Sequence, residues 1–310
     1  MLVFLARRTV QMLLVMIGVS ILLFLLLEID IDNLAIKVLG PYSLPEAREL
    51  WLTENGYRDP LPVRYIRWLG GVMTGDFGMS VIYRVPVSDV LWPRLANTAL
   101  LGGLVLALVI PLALFFGVLA GMREGALRDR VISVSCILTT SVPEYASAPL
   151  LTVIFVFWLD LLPGTSNMVG GFQWQAMVLP VMVLVLYDFG YVARMTRASM
   201  AEVMTTHYIR TAVLKGLPYR VVILKHALRN ALIAPFTVIM LQLNWLLSGV
   251  IITEFFFSYK GFGALLLEAS LNGDIFVIEA CAIISVVVAV GSQLLSDLGY
   301  AALNPRIRIH

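Results

Sequence analysis

Residues 196–236 read TRASMAEVMTTHYIRTAVLKGLPYRVVILKHALRNALIAPF. The basic part of this stretch, about 35 residues over 196–230, joins two apolar runs at 176–195 and 231–253. Gly216-Leu217-Pro218 divides it into a short helix before and another after, because glycine permits a left-handed helix end and proline does not continue a helix. Arg197, Arg210, Lys215, Arg220, Lys225 and Arg229 line it. A short helix lying across the base of a membrane and ended by glycine is a peg for a soluble partner. A basic loop touching anionic lipid heads is the other reading, and periodicity alone leaves both open.

Working outward, six runs are long enough to cross a bilayer, which needs about 20 apolar residues per helix. They are 9–28, 97–121, 131–159, 176–195, 231–253 and 277–299. The chain is 60% hydrophobic and 14% charged, with a mean hydropathy of +0.90. Soluble domains carry about 25% charged residues, so the solvent implied here is lipid. The fold class expected is an all-α integral membrane protein. Thr9–Leu27 holds no charge and is longer than the apolar core of a cleaved signal, and no small-residue cleavage site follows Glu28, so it reads as a retained first helix. Pro111, Pro143, Pro149, Pro180 and Pro235 lie in or near the runs, where neighbouring helices can satisfy freed backbone groups.

Lysine and arginine placement sets the expected orientation. With the N-terminus inside, the short inner stretches hold Arg7, Arg8, Arg123, Arg128, Arg130, Arg194 and the basic residues of 196–230, with Arg306 and Arg308 at the end. The short outer loops, 160–175 and 254–276, hold only Lys260. Segment 29–96 holds seven basic residues, but long segments translocate largely regardless of charge. Both termini are therefore expected in the cytoplasm, with 29–96 as an external cap and 97–310 as a five-helix core. The cap carries Trp51, Tyr57, Tyr65, Trp68, Phe77, Tyr83 and Trp92 among turn-formers, a density of aromatics that can bury area. Its expected helices are Pro45–Leu50 and Val63–Met73.

Tyr208-Ile209-Arg210-Thr211-Ala212-x-x-Lys215-Gly216-Leu217, then Lys225-His226-x-Leu228-Arg229-Asn230-Ala231-Leu232, resembles the cytoplasmic loop of ABC importer permeases. The peptide, opine and nickel branch is the nearest match, in the subunit with a long external loop after the first helix. Asp59-Pro60-Leu61-Pro62-Val63-x-Tyr65, Gly75-Asp76-Phe77-Gly78-x-Ser80, Gly117-Val118-Leu119-Ala120-Gly121, Ser141-Val142-Pro143, Glu254-x-x-Phe257 with Gly261-x-Gly263, and Asn304-Pro305-Arg306 extend the resemblance over nearly the whole chain. It implies a type I ABC importer permease fold in the bacterial inner membrane. It implies a coupling helix at 207–217, with Tyr208, Arg210, Thr211, Lys215 and Gly216, seated on one of two ATPase subunits. It further implies a homologous second permease that completes the pore and an external binding protein that delivers peptides or similar small solutes. ATP and magnesium would sit on the ATPases, and this chain would bind no cofactor. Four places depart from the family pattern: Glu28–Asn33, His207, Lys260, and Glu144 after Pro143. Opines, nickel chelates and oligosaccharides therefore stay open as cargo.

Glu144 and Asp188 lie inside apolar runs, where a charge costs about 2.5–3.5 kcal/mol on insertion scales. They either line the translocation path or bond to the sister permease. Gln242 and Asn244 either line the path or hold helices together. No catalytic motif, Walker A loop or metal-ligand spacing is present: Cys136 and Cys281 sit in apolar runs, and His207, His226 and His310 are scattered. A membrane-embedded enzyme lacks a catalytic constellation, and a self-contained channel or secondary transporter lacks visible internal halves. Membrane lipid is an expected partner; nucleic acid is not.

Overall fold

A computed structural model of the chain describes residues 2–27, 31–168, 171–248 and 250–303, with side chains for 7–26, 31–168, 171–242 and 250–299. Among the described residues the structure is helical, and its extended pairing is confined to an isolated bridge between Met79 and Pro86. Four helices are long and apolar enough to span a membrane, and up to six spans result if each of two bent pairs counts as one. The chain divides into two compact units, 1–97 with 261–291, and 98–260 with 292–310.

In the first unit, helix Leu2–Leu27 leaves Leu13, Leu14, Leu22 and Leu26 more than half exposed, as a lipid-facing helix would. Its Phe24 packs against Tyr65 and Trp68, with ring centroids 5.4 and 5.7 Å away. Both aromatics belong to helix Leu61–Thr74, which ends where Gly75 takes φ +81. Helices Ile31–Leu39 and Pro45–Glu54 precede it. The core joins Val87, Leu91, Phe262, Leu265, Val277 and Cys281. Polar ties reinforce it over long sequence separations. Trp68 Nε1 donates to Glu279 at 3.1 Å, Tyr83 Oη to Glu268 at 2.7 Å, and the Ile82 amide to Asp274 at 3.2 Å.

The second unit is built on helix Trp174–Met204, 31 residues long, against which Leu127–Ser141, Glu144–Thr152 and Ile233–Ser248 pack. Its core includes Leu101, Val105, Val109, Cys136, Met177, Leu184, Val192 and Val238. Lipid tails are as apolar as leucine, so close contact at small residues must supply what the hydrophobic effect does not. Gly117 and Gly121 provide that contact. A Cβ on Gly117 would lie 2.6 Å from the Ala193 carbonyl oxygen, and one on Gly121 2.6 Å from that of Arg197. Gly190 sits equally tightly against the Cys136 carbonyl oxygen.

Several boundaries differ from the sequence expectation. The second span starts at Val87 rather than 97, because a helix continues past the point where its apolar content falls. The third is not continuous: Leu127–Ser141 and Glu144–Trp158 meet at 95°. Proline disfavours the helical conformation in the residue before it, and Val142 is accordingly extended at φ −95, ψ 114. Pro111, Pro149, Pro180 and Pro235 all remain inside helices. The fourth span runs on to Met204, so the loop expected from 196 begins with helix. Tyr219–Ala231 and Ile233–Gln242 meet at 49°. The stretch 254–276 contains helix Phe262–Asn272, too short to be read as a span. The cap helices extend beyond the expected limits, and Ile31–Leu39 adds a third.

Candidate functional site

The short helix expected in the 196–230 loop is His207–Leu214. Its end is a Schellman motif: the Gly216 amide donates to Val213 O at 2.9 Å and the Leu217 amide to Ala212 O at 3.4 Å. That geometry requires a left-handed residue after the C-cap, and Gly216 has φ +75. Pro218 then prevents continuation. Ile209 and Ala212, three residues apart and so on one face, are buried with Met200, Val222, Ile223, Ala227 and Ala231. The other face carries Tyr208, Arg210, Thr211, Val213, Leu214 and Lys215, all exposed, with Leu214 at 80%. Asn230 Nδ2 donates to Tyr208 Oη at 2.8 Å, tying this helix to Tyr219–Ala231. All five residues expected for coupling therefore lie together. Gly216 shapes the end of the helix, Tyr208 both faces solvent and braces, and Arg210, Thr211 and Lys215 are presented outward.

Sequence reasoning missed the clamp beside this helix. Arg197 binds Asp129 through two contacts, Nη2–Oδ2 at 2.7 Å and Nε–Oδ1 at 2.9 Å, and reaches Glu124 at 3.3 Å. The Gly125 amide donates to Asp129 at 2.8 Å. Asp129 is almost fully buried, so this pair fixes the 122–126 turn to the last turns of Trp174–Met204. Tyr219 Oη adds a bond to the Met122 carbonyl at 3.3 Å. The two partners are 68 positions apart, and no local pattern announces them.

The intramembrane polar residues gather at the break after Ser141. Asp188 is 1% exposed, and Gln242 Nε2 donates to its Oδ1 at 2.5 Å. Glu144 opens the helix that follows Pro143, and that helix packs against the one that carries Asp188. Asp188 Oδ2 and Glu144 Oε2 are buried and have no hydrogen-bond partner among the described residues. Asn244 lies on helix Ile233–Ser248, with its side chain outside the described residues. Glu254, noted in the sequence only as part of a motif, is fully buried and accepts a bond from Thr98 Oγ1. Among the described residues no group of three or more histidine, cysteine or acidic side chains is placed to hold a metal.

Several apolar spans, two of them broken, and a short water-facing helix detached from the span before it define a multi-pass membrane protein. Residues 113–309 match the family described as the inner membrane component of binding-protein-dependent transport systems, and 1–102 match that component's N-terminal part. The chain belongs to this family. It is similar over 99% of both chains, at 34% identity, to a probable peptide ABC transporter permease of Sinorhizobium fredii. It is 30% identical over 98% of both chains to the oligopeptide transport permease AppB of Bacillus subtilis. It is 32% identical over 99% of both to the dipeptide transport permease DppB of Escherichia coli. The chain is thus a permease subunit of an ABC importer in the bacterial inner membrane.

Proposed function

We propose that the chain forms half of the translocation pathway for peptides or similar small solutes. Both termini face the cytoplasm, and segment 29–96 receives cargo from an external binding protein. A homologous second permease completes the pore. Two ATPase subunits bind ATP and magnesium and drive the cycle, while this chain performs no catalysis. The observation that carries this reading is the His207–Leu214 helix, held rigidly on one face and presenting apolar and cationic side chains on the other.

The mechanism follows from what that helix is attached to. Ile209 and Ala212 share one buried cluster with Met200 of the long helix and with Val222 and Ala227 of the following one, and Val118 and Met122 pack on the same cluster. Displacement of the short helix by an ATPase therefore moves a packed block rather than a loop. The Arg197–Asp129 clamp extends that block to the start of Leu127–Ser141. Rigid-body rocking of this kind can open a path at the helix break without local unfolding. Arg210 and Lys215 set orientation on an acidic socket, and exposed Leu214 supplies apolar contact.

The test is ATPase activity stimulated by the binding protein in the purified assembly. Arg210→Glu reverses the docking charge. Gly216→Pro forces φ near −65° where the chain holds +75. Both variants should insert in the membrane and lose stimulation by about tenfold or more, corresponding to about 1.4 kcal/mol of coupling. Full stimulation in both would overturn the assignment.

A further inference from the structure

We propose that Asp188 and Glu144 form a cation site on the pathway that accepts an organic ammonium group of the cargo. This rests on the reading of the chain as a pathway-forming permease.

The residues are brought together by the fold rather than by sequence. Ala148, one turn after Glu144, shares a buried cluster with Val183, which lies just over a turn before Asp188. On the other side of Asp188, Gly190 presses on Cys136 and Thr139, at the end of the helix that stops at Ser141. Asp188 is thus held opposite the break between these two contacts. Ser141 and Val142 are exposed at that break.

The oxygens left over define the ligand. Gln242 satisfies Asp188 Oδ1, while Asp188 Oδ2 and Glu144 Oε2 stay buried without a hydrogen-bond donor among the described residues. Asp188 itself is 99% withdrawn from solvent, at 1% exposure. Buried carboxyl groups are relieved either by holding their protons or by a positive charge beside them, and among the described residues neither takes part in an ion pair, so the place of a cation is open. A divalent metal would need six or more oxygens in the case of calcium, or an octahedral set in the case of magnesium. The described residues offer no such cluster. An ammonium group carries three donors and one charge, which suits two buried carboxyl oxygens that lack donors.

The assembly is reconstituted in lipid nanodiscs and treated with dicyclohexylcarbodiimide, which adds to carboxyl groups in apolar surroundings. Modification at Glu144 and Asp188 is followed by mass spectrometry with n-butylammonium, sodium or n-butanol present. The expected result is at least tenfold slower labelling of both residues with n-butylammonium, no protection by n-butanol, and weaker protection of Asp188 in Glu144→Gln. Equal labelling under all conditions, protection by sodium alone, or no labelling of either residue would overturn the proposal. Asp188→Asn, read at Glu144, decides the matter if Glu144→Gln does not assemble. ATP-dependent trialanine uptake is measured on the same preparation. Uptake without protection rejects the cation site alone. Protection without uptake rejects the peptide reading and leaves a cation site.

Discussion

At the scale of single residues, the most consequential pair is one that no sequence pattern marks. Asp129 is buried and Arg197 is about a quarter exposed, and they meet through two short charge-assisted bonds. Removing one partner leaves the other without compensation. Arg197→Met should cost about 3 kcal/mol, a value below the upper range for fully buried pairs because water still reaches the guanidinium. The double variant Asp129→Asn with Arg197→Met should recover part of that loss. Thermal unfolding of the four detergent-purified proteins would measure the coupling, and additive losses would show that the pair contributes nothing jointly. The pair was illegible because each residue reads alone as one more charge beside a span. By contrast, the placement of Arg210, Thr211, Lys215 and Gly216 was legible because it depends on a local helix and its glycine stop. Glu144 and Asp188 were legible as isolated charges in apolar runs, but the packing of their two helices at the break after Pro143 was not.

At the scale of elements, length and apolar content located the four continuous candidate spans and the two bent pairs, while breaks and ends escaped. Pro143 and Pro180 look alike in sequence, yet only the first ends a helix. Leu179 and Pro180 are buried in the packed unit, whereas Ser141–Pro143 is exposed and free to turn. At the end of Leu127–Ser141, Thr140 and Ser141 hydroxyls bond back to Cys136 and Ile137 carbonyls at 2.9 and 2.7 Å. Such back-bonds to the carbonyl four residues earlier often bend helices, and here they lie in the last turn before the break. Glycine spacing was the more dependable signal. Gly117→Val would place a Cβ 2.5 Å from Thr196 Cβ and 2.6 Å from the Ala193 carbonyl oxygen, which cannot yield without moving a helix. The expected cost is about 1–3 kcal/mol of overpacking. Gly103 on the same helix has nothing within 4 Å, so Gly103→Ala should be neutral or stabilise by up to about 1 kcal/mol through helix propensity. Thermal unfolding of both variants separates close helix contact from a general intolerance of side chains. Equal loss in the two would contradict the packing argument.

At the scale of the whole molecule, the proposed orientation rests on where positive charge remains available to the cytoplasm. Three of the basic residues in 29–96 are already paired within their own unit. Arg58 contacts Glu49 and Asp32 at 2.6 and 3.1 Å, Arg67 contacts Asp59 at 2.6 Å, and Arg94 contacts Glu268 at 3.3 Å. The Arg58 hydrogen bond also holds the Glu49 carboxyl below the usual carboxylate range, which keeps that pair charged. Arg210 and Lys215 are exposed at the base of the second unit, and no salt bridge to either is found among the described residues. Lysine and arginine in short loops retain those loops inside, and 196–230 is such a loop in the proposed orientation. The orientation can be read with single cysteines, because the native Cys136 and Cys281 are both buried and can be replaced by alanine. Tyr42 is 98% exposed, Leu271 71% and Leu214 80%, so a cysteine at each is reachable by a membrane-impermeant maleimide on its own side. In spheroplasts, Tyr42→Cys and Leu271→Cys should label at once. Leu214→Cys should label at least tenfold more slowly until the membrane is opened. In opened membranes, adding the ATPase subunits should then protect Leu214→Cys but neither of the others, because the short helix would be buried in its socket. Labelling of Leu214→Cys from outside would reverse the topology and remove the ATPase from that face. Labelling from inside without protection would keep the topology and return the basic loop to the lipid surface.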